Sequence, residues 1–98
     1  MYNYDFNDEK VIFERRNTFL EIDNKEYVFN LLVTDKNILL FEDINKNNAL
    51  KGRGVTMLEQ YELVQNLPLK NVKYKIENNN TIIGNIIIYN FELDMYIK

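Results

Sequence analysis

The sequence predicts a small all-β domain, an antiparallel barrel or sandwich of seven to eight short strands. Apolar and polar residues alternate with a period of two along most of the chain, whereas the helical period is weak. Turn residues, mostly Asn and Asp, recur at roughly ten-residue spacing, which is typical of small barrels and sandwiches. The length of 98 residues and the hydrophobic content of 46% suit one domain, residues 1–98, with one core.

In the first half of the chain, strands follow a short N-terminal extension at residues 1–9. The predicted strands lie at 10–15, 18–22, 26–34 and 38–42. The polar turn Asp23-Asn24-Lys25 joins the second and third into a β-hairpin. The third strand carries Leu31 and Val33 on one face and Leu32 on the other, so we expect part of it to be covered on both sides.

In the second half, residues 43–54 form the longest polar stretch and are predicted to be an exposed loop. The strands predicted after it lie at 56–65, 71–76, 81–89 and 91–97. A helix over 55–64 is the alternative to the first of these, because that segment has neither Gly nor Pro after Gly54. Pro68 disfavours a central strand at its position, and Gly84 predicts a bulge or a sharp bend.

The composition excludes several classes of active site. The chain has no His, Cys, Trp or Ser, so Ser-His-Asp and Cys-His catalysis, zinc sites of thiolate and imidazole, and disulfides are excluded. Pairs of carboxylates such as Glu92 and Asp94 are the remaining acid–base candidates, and their alternation fits a solvated strand face better. We therefore expect no enzyme activity, no metal and no cofactor.

The N-terminal sequence and the apolar runs predict the compartment, and the net charge limits the partners. The N-terminal sequence MYNYDFNDEK lacks the basic and apolar regions of a signal peptide, and no apolar run reaches the roughly 20 residues of a membrane span. A cytoplasmic location is the expectation, with peripheral membrane attachment under the lipid-binding alternative below. A net charge of −3 and a pI near 4.9 argue against nucleic acid as a partner.

Two sequence phrases resemble the bacterial pleckstrin-homology-like (PH-like) and GRAM-like domains. They are LLVTDKNILLFED at 31–43, with its Leu-Val-Thr-Asp-Lys turn, and YELVQNLPLKNVKYKI at 61–76, with its Leu-Pro-Leu step. The resemblance implies a seven-stranded, strongly bent barrel closed at one end by a C-terminal helix. This chain reaches Lys98 where that helix is expected. We therefore expect Tyr2, Tyr4 and Phe6, or a second copy of the chain, to cover the open end.

The resemblance and the composition together predict a non-catalytic protein-interaction or scaffolding module. Its partner is expected to be another protein or a second copy of the chain, bound at an open sheet edge, at the barrel mouth or at loop 43–54. The alternative is weak binding of anionic lipid headgroups, because the basic residues concentrate in the second half. Residues 1–50 have 6 basic and 10 acidic side chains, whereas residues 51–98 have 6 and 5.

The candidate anion-binding residues are those of the long loop and the strand after Pro68. They are Lys51, Arg53, Lys70, Lys73 and Lys75. Five cations that meet on one surface attract an anionic membrane by about 1 kcal/mol each. Lysines on an outer strand face also serve to discourage edge pairing, and the KGRG sequence at 51–54 lacks the spacing of a phosphate-binding loop.

Overall fold

The computed structural model describes residues 1–44 and 59–97 of the chain. Its strands are β1 (Tyr2–Asn3), β2 (Val11–Ile22), β3 (Lys25–Thr34), β4 (Asn37–Asp43), β5 (Tyr61–Pro68), β6 (Lys75–Glu77), β7 (Asn80–Ile83) and β8 (Ile86–Ile88). A 3-10 helix spans Leu93–Met95, and the described ranges contain no α-helix. The prediction of an all-β protein is confirmed.

All eight strands belong to one sheet, in the order β1-β5-β4-β3-β2-β8-β7-β6. Strands β2 to β5 form one antiparallel meander and β6 to β8 form another. Strand β8 pairs with β2, where Ile88 lies opposite Leu20, and this pairing joins the two meanders. Between β5 and β6, the chain therefore crosses from the strand next to one edge of the sheet to the strand at the other edge.

Two details of the predicted architecture need correction. The sheet is mixed rather than wholly antiparallel, because β1 pairs in parallel with β5, with Tyr2 opposite Tyr61. It is also one open sheet rather than a closed barrel or a two-sheet sandwich. In the described ranges, the edge strands β1 and β6 do not pair with each other. The segment from Leu69 to Tyr74 lies outside the strand ladder. Its side chains Leu69, Val72 and Tyr74 pack on the core instead of extending the sheet.

Three two-residue turns connect neighbouring strands and use the residue types that tolerate positive φ. Asp23-Asn24 joins β2 to β3 with φ values of 53° and 67°, and Asn78-Asn79 joins β6 to β7 with 52° and 69°. Gly84 begins the turn between β7 and β8 with a φ of 57°. The first hairpin confirms the predicted turn at Asp23-Asn24. Segment 81–89 is two strands rather than one, and Gly84, where a bulge or a sharp bend was predicted, lies in the turn between them.

The first long strand and the segment after β4 also differ from the predicted boundaries. The predicted strands 10–15 and 18–22 belong to one strand, β2. A bulge lies between them, and Asn17 at this bulge has a φ of 54°. The helix alternative for 55–64 is wrong from Tyr61 onward, where β5 begins; residues 55–58 lie outside the described residues. Most of the predicted loop 43–54 also lies outside them, and Asp43 is the last residue of β4.

The sheet has a buried cluster on each face, which we call the inner face and the outer face. The inner cluster includes Leu31, Leu40 and Ile88, each fully buried. The outer cluster consists of Leu32, Leu39, Phe41 and Tyr61. Strand β3 contributes to both, because successive side chains of a strand point to opposite faces. The prediction that part of this strand is covered on both sides is confirmed for its second half.

The N-terminal aromatic residues cover the outer cluster and not the end of a barrel, which corrects the expectation for them. The rings of Tyr2 and Phe41 lie 4.7 Å apart, and Tyr4 and Phe6 pack against the same cluster. Hydroxyls anchor this segment through hydrogen bonds, from Tyr2 to Glu14 and from Tyr4 to Glu9. Residues 1–9 thus form the second layer over the outer face.

The C-terminal residues 91–97 cover the inner cluster, although they were predicted to be a strand. Phe91 and Leu93 are buried there, and the 3-10 helix begins at Leu93. The hydroxyl of the buried Thr81 donates to the carbonyl of Phe91 (2.6 Å) and accepts from the amide of Leu93 (3.0 Å). This side chain takes the hydrogen bonds that a neighbouring strand would otherwise supply.

Candidate functional site

The structure does not gather the described basic candidates on one strand face. Lys51 and Arg53 lie outside the described residues. Lys75 is on β6 and forms an ion pair with Glu77 at 2.9 Å. Lys70 lies in the turn after β5, beside a depression shared with Lys36 and Asp35, and Lys73 lines a different depression with Leu67 and Ile83. Only Lys75 of these three is within a strand. The described members of the predicted strand-and-loop patch therefore do not share one strand face.

Acidic and hydroxyl groups meet mainly beneath the N-terminal segment, and there they are bonded to one another. Burial and the hydrogen bond to Glu9 raise the pKa of Tyr4 to about 12. Burial acts to raise the pKa of Glu9, but hydrogen bonds from Tyr4 and Thr34 outweigh it and lower that pKa. The guanidinium of Arg16 lies 5.5 Å from the ring centre of Tyr61 and 3.2 Å from a carboxylate oxygen of Glu59. The bond from Thr34 to Glu9 ties residues 1–9 to β3.

No group of carboxylates in the described ranges has a geometry that could hold a metal ion. Every buried side-chain nitrogen or oxygen there also has a hydrogen-bond partner. The chemistry of the described surface therefore has to be sought in exposed groups.

A groove runs beside the first half of β3. The ladder between β3 and β4 extends only from Asn30 to Val33, although β4 continues to Asp43, so residues 25–29 of β3 lie beyond the paired part of β4. The groove occupies that position, with a volume of about 450 Å³. Its lining includes Phe19, Glu26, Tyr27, Val28, Glu42 and Asp43.

The apolar part of this groove is exposed, although its position is fixed by the core. The Phe19 side chain is 67% exposed, because its neighbour Leu20 points to the inner face and is fully buried. Phe19 lies opposite Val28 in the β2–β3 ladder. Tyr27 is 37% exposed, and its ring stacks at 5.2 Å on the buried ring of Phe29. Phe19 is therefore exposed on the outer face, whereas Tyr27 lies on the inner face beside Phe29.

The polar part of the groove is acidic. Glu26, Glu42 and Asp43 line it. Glu26 lies directly opposite Glu21 in the β2–β3 ladder, and Glu42 lies opposite Glu62 in the β4–β5 ladder. Like charges placed opposite one another destabilise a sheet.

The sequence reasoning did not identify this groove. The open sheet edge was anticipated as an interaction surface, but no residue of the groove was named. A signal was present in the adjacent Phe19 and Leu20, since only one of two successive apolar side chains can face the inner core. The early end of the β3–β4 ladder has no comparable signal in the sequence.

Comparisons of the chain with protein-family models, with curated proteins and with solved structures found no match. Across residues 1–44 and 59–97, no helix has the length and apolar character needed to cross a membrane.

Proposed function

We propose that this chain is a non-catalytic protein-interaction or scaffolding module of PH-like type. The observation that carries the proposal is the exposed side chain of Phe19, which lies opposite Val28 in the β2–β3 ladder beside the groove. Exposed apolar patches rimmed by polar residues are typical of protein-interaction sites.

A displayed library of random peptides, selected on the immobilised chain, tests this function. We expect enriched peptides that bind the folded chain and do not bind a Leu40→Asp variant, whose fully buried core position cannot accept a charge. Failure to enrich any fold-dependent peptide would contradict an interaction module. The selection requires no knowledge of the native partner.

The second candidate function is weak binding of anionic lipid headgroups through Lys51, Arg53, Lys70, Lys73 and Lys75. It is favoured by the exposure of Lys70 and Lys73, neither of which forms an ion pair with another described residue. Flotation with anionic and neutral liposomes at low and physiological salt separates the two functions, because screening weakens charge-driven binding. Salt-sensitive flotation that is lost when Lys70, Lys73 and Lys75 become Glu would favour the lipid function.

A further inference from the structure

We propose that residues 1–6 form an exchangeable strap, which leaves its own outer cluster in a fraction of molecules and covers the outer cluster of a second copy of the chain. The outer face of each copy is then completed by the other copy. This inference rests on the proposed function as a protein-interaction module, and it adds a second copy as the partner and names the residues that the partner contributes.

The aromatic contacts of the strap show what the outer cluster accepts. The ring centre of Tyr2 lies 4.7 Å from that of Phe41 and 4.8 Å from that of Tyr61. Phe41 is fully buried and Tyr61 is 5% exposed, so the strap covers an apolar surface. A second copy carries the same strap, and each of these contacts can therefore form between two chains as well as within one.

The polar contacts of the strap can be exchanged in the same way. Strand β1 pairs with β5 at two positions, where Tyr2 lies opposite Tyr61 and Asn3 lies opposite Glu62. The side-chain nitrogen of Asn3 donates to both carboxylate oxygens of Glu62, at 2.9 and 3.0 Å. These partners are distant from the strap in the chain. The turn that leads from the strap into β2 therefore determines which copy a strap covers.

The conformation of this turn favours exchange. Asp8 has a φ of 63°, in the left-handed region that is unfavourable for residues with a side chain. The amide of Glu9 donates to the carbonyl of Phe6 (2.9 Å) and closes the turn. The carboxylate of Glu9 accepts from the hydroxyl of Thr34 (2.7 Å), so Glu9 stays on its own β3 and Asp8 is the hinge. An extended hinge relieves the positive φ, and strained short hinges promote exchange between copies.

The test uses two single-cysteine variants of the whole chain, Asn3→Cys and Glu62→Cys, because the sequence contains no Cys. The two chains are mixed, unfolded in urea, refolded together at about 0.5 mM and oxidised, since a short tether gives a strap an effective concentration on the order of millimolar. Mass spectrometry without reduction distinguishes the mixed dimer from the two homodimers. We expect about threefold more mixed dimer than random pairing of the cysteines gives, because only an exchanged strap holds the two sulfurs together.

Two controls calibrate this pair of positions. The double variant Asn3→Cys/Glu62→Cys, oxidised at about micromolar concentration, should form its disulfide within one chain, since paired positions of neighbouring strands lie within reach of a disulfide. Asn3→Cys mixed with Met95→Cys should give the random proportion of mixed dimer. Met95 is 73% exposed and belongs to the segment over the inner face, which the strap does not contact.

Substitutions at the hinge provide a matched pair in both single-cysteine chains. Proline cannot adopt the positive φ of Asp8, so Asp8→Pro should raise the yield of mixed dimer by about fivefold. Glycine adopts a positive φ without steric cost, so Asp8→Gly should lower that yield below the yield with Asp8. Neither substitution changes a residue of the strap or of the outer cluster.

Three results would overturn the inference. Mixed dimer at the random proportion, together with a disulfide within the double variant, shows that the strap stays on its own chain. A double variant that forms no internal disulfide refutes the contact between the strap and β5. Equal yields from Asp8→Pro and Asp8→Gly refute the hinge. The proposed function survives each of these results if library peptides bind the folded chain, and only a library without fold-dependent binders refutes it.

Discussion

The hydroxyl of Thr81 should be the most important polar group for attachment of the C-terminal residues. Thr81 is fully buried on β7, and its hydroxyl bonds both the carbonyl of Phe91 and the amide of Leu93. Thr81→Val keeps the shape of the side chain and removes both hydrogen bonds. Two buried backbone groups then lose this partner, at about 1 to 3 kcal/mol for each group left unsatisfied. We expect the free energy of unfolding to fall by about 2 to 5 kcal/mol.

Urea denaturation measures this loss directly. With a slope of about 1.5 kcal/mol per M, a loss of 3 kcal/mol lowers the midpoint by about 2 M. Thr81→Ser is the matched control, because it keeps the hydroxyl and loses one methyl group, at a cost of about 1 kcal/mol. Hydrogen exchange of the Leu93 amide should accelerate in the Val variant and much less in the Ser variant. A Val variant as stable as the Ser variant would refute the role given to the hydroxyl.

Three further predictions test other parts of the structure. The folded-state pKa of Tyr4 is about 12, against an ordinary value of 10.0. The stability that its neutral form contributes is therefore complete below pH 10 and is lost as the pH rises through about 12. Tyr4→Phe should reduce this loss in urea midpoints measured from pH 9 to 12. Phe41→Ala should cost about 3 to 5 kcal/mol in urea denaturation, because Phe41 is fully buried in the outer cluster, whereas Leu63→Ala at a 36% exposed position should cost less than about 1 kcal/mol; similar losses would contradict a separate outer core. Gly84→Ala should cost about 1 to 2 kcal/mol from its positive φ alone, since a Cβ there meets no atom within 4 Å, and Gly84→Asn should cost less; equal thermal midpoints for Gly84, Ala and Asn would contradict this.

The proposed function depends on groups that are exposed although they are apolar. The sheet covers both faces of β3 in its second half, where β4 and the N-terminal segment lie. It leaves Phe19 and Tyr27 at the surface beside the first half. A partner that binds there would rearrange neither core. We therefore expect the free and bound chains to share one backbone conformation outside the groove.

The sequence predicted local features that depend on neighbouring residues. The alternating pattern indicated an all-β protein, and Asp23-Asn24 indicated a hairpin because these side chains tolerate positive φ. The two-sided apolar pattern of 26–34 correctly indicated that β3 is covered on both faces. These signals lie within ten residues of one another, so no knowledge of distant pairing was needed.

The sequence pattern misled where a distant contact decided the conformation. Phe91, Leu93, Met95 and Ile97 alternate as a strand does, yet this segment forms a short 3-10 helix. Thr81, a residue of β7, takes its backbone hydrogen bonds. The position of Tyr2 was likewise unpredictable from its neighbours, because its place depends on pairing with Tyr61, 59 residues further along the chain.

Sequence alone therefore determined the all-β character, the hairpin turn at Asp23-Asn24 and the absence of His, Cys and Ser side chains, since each depends on residue type and short spacing. Only the tertiary structure decided that the sheet stays open, which side of it residues 1–9 cover, and where β4 stops beside β3. These features arise from pairing between strands that are distant in the chain, where many registers satisfy the same alternation and packing selects one. The acidic aromatic groove belongs to this second group, because Phe19, Glu26 and Glu42 come together only when three strands pair in this register.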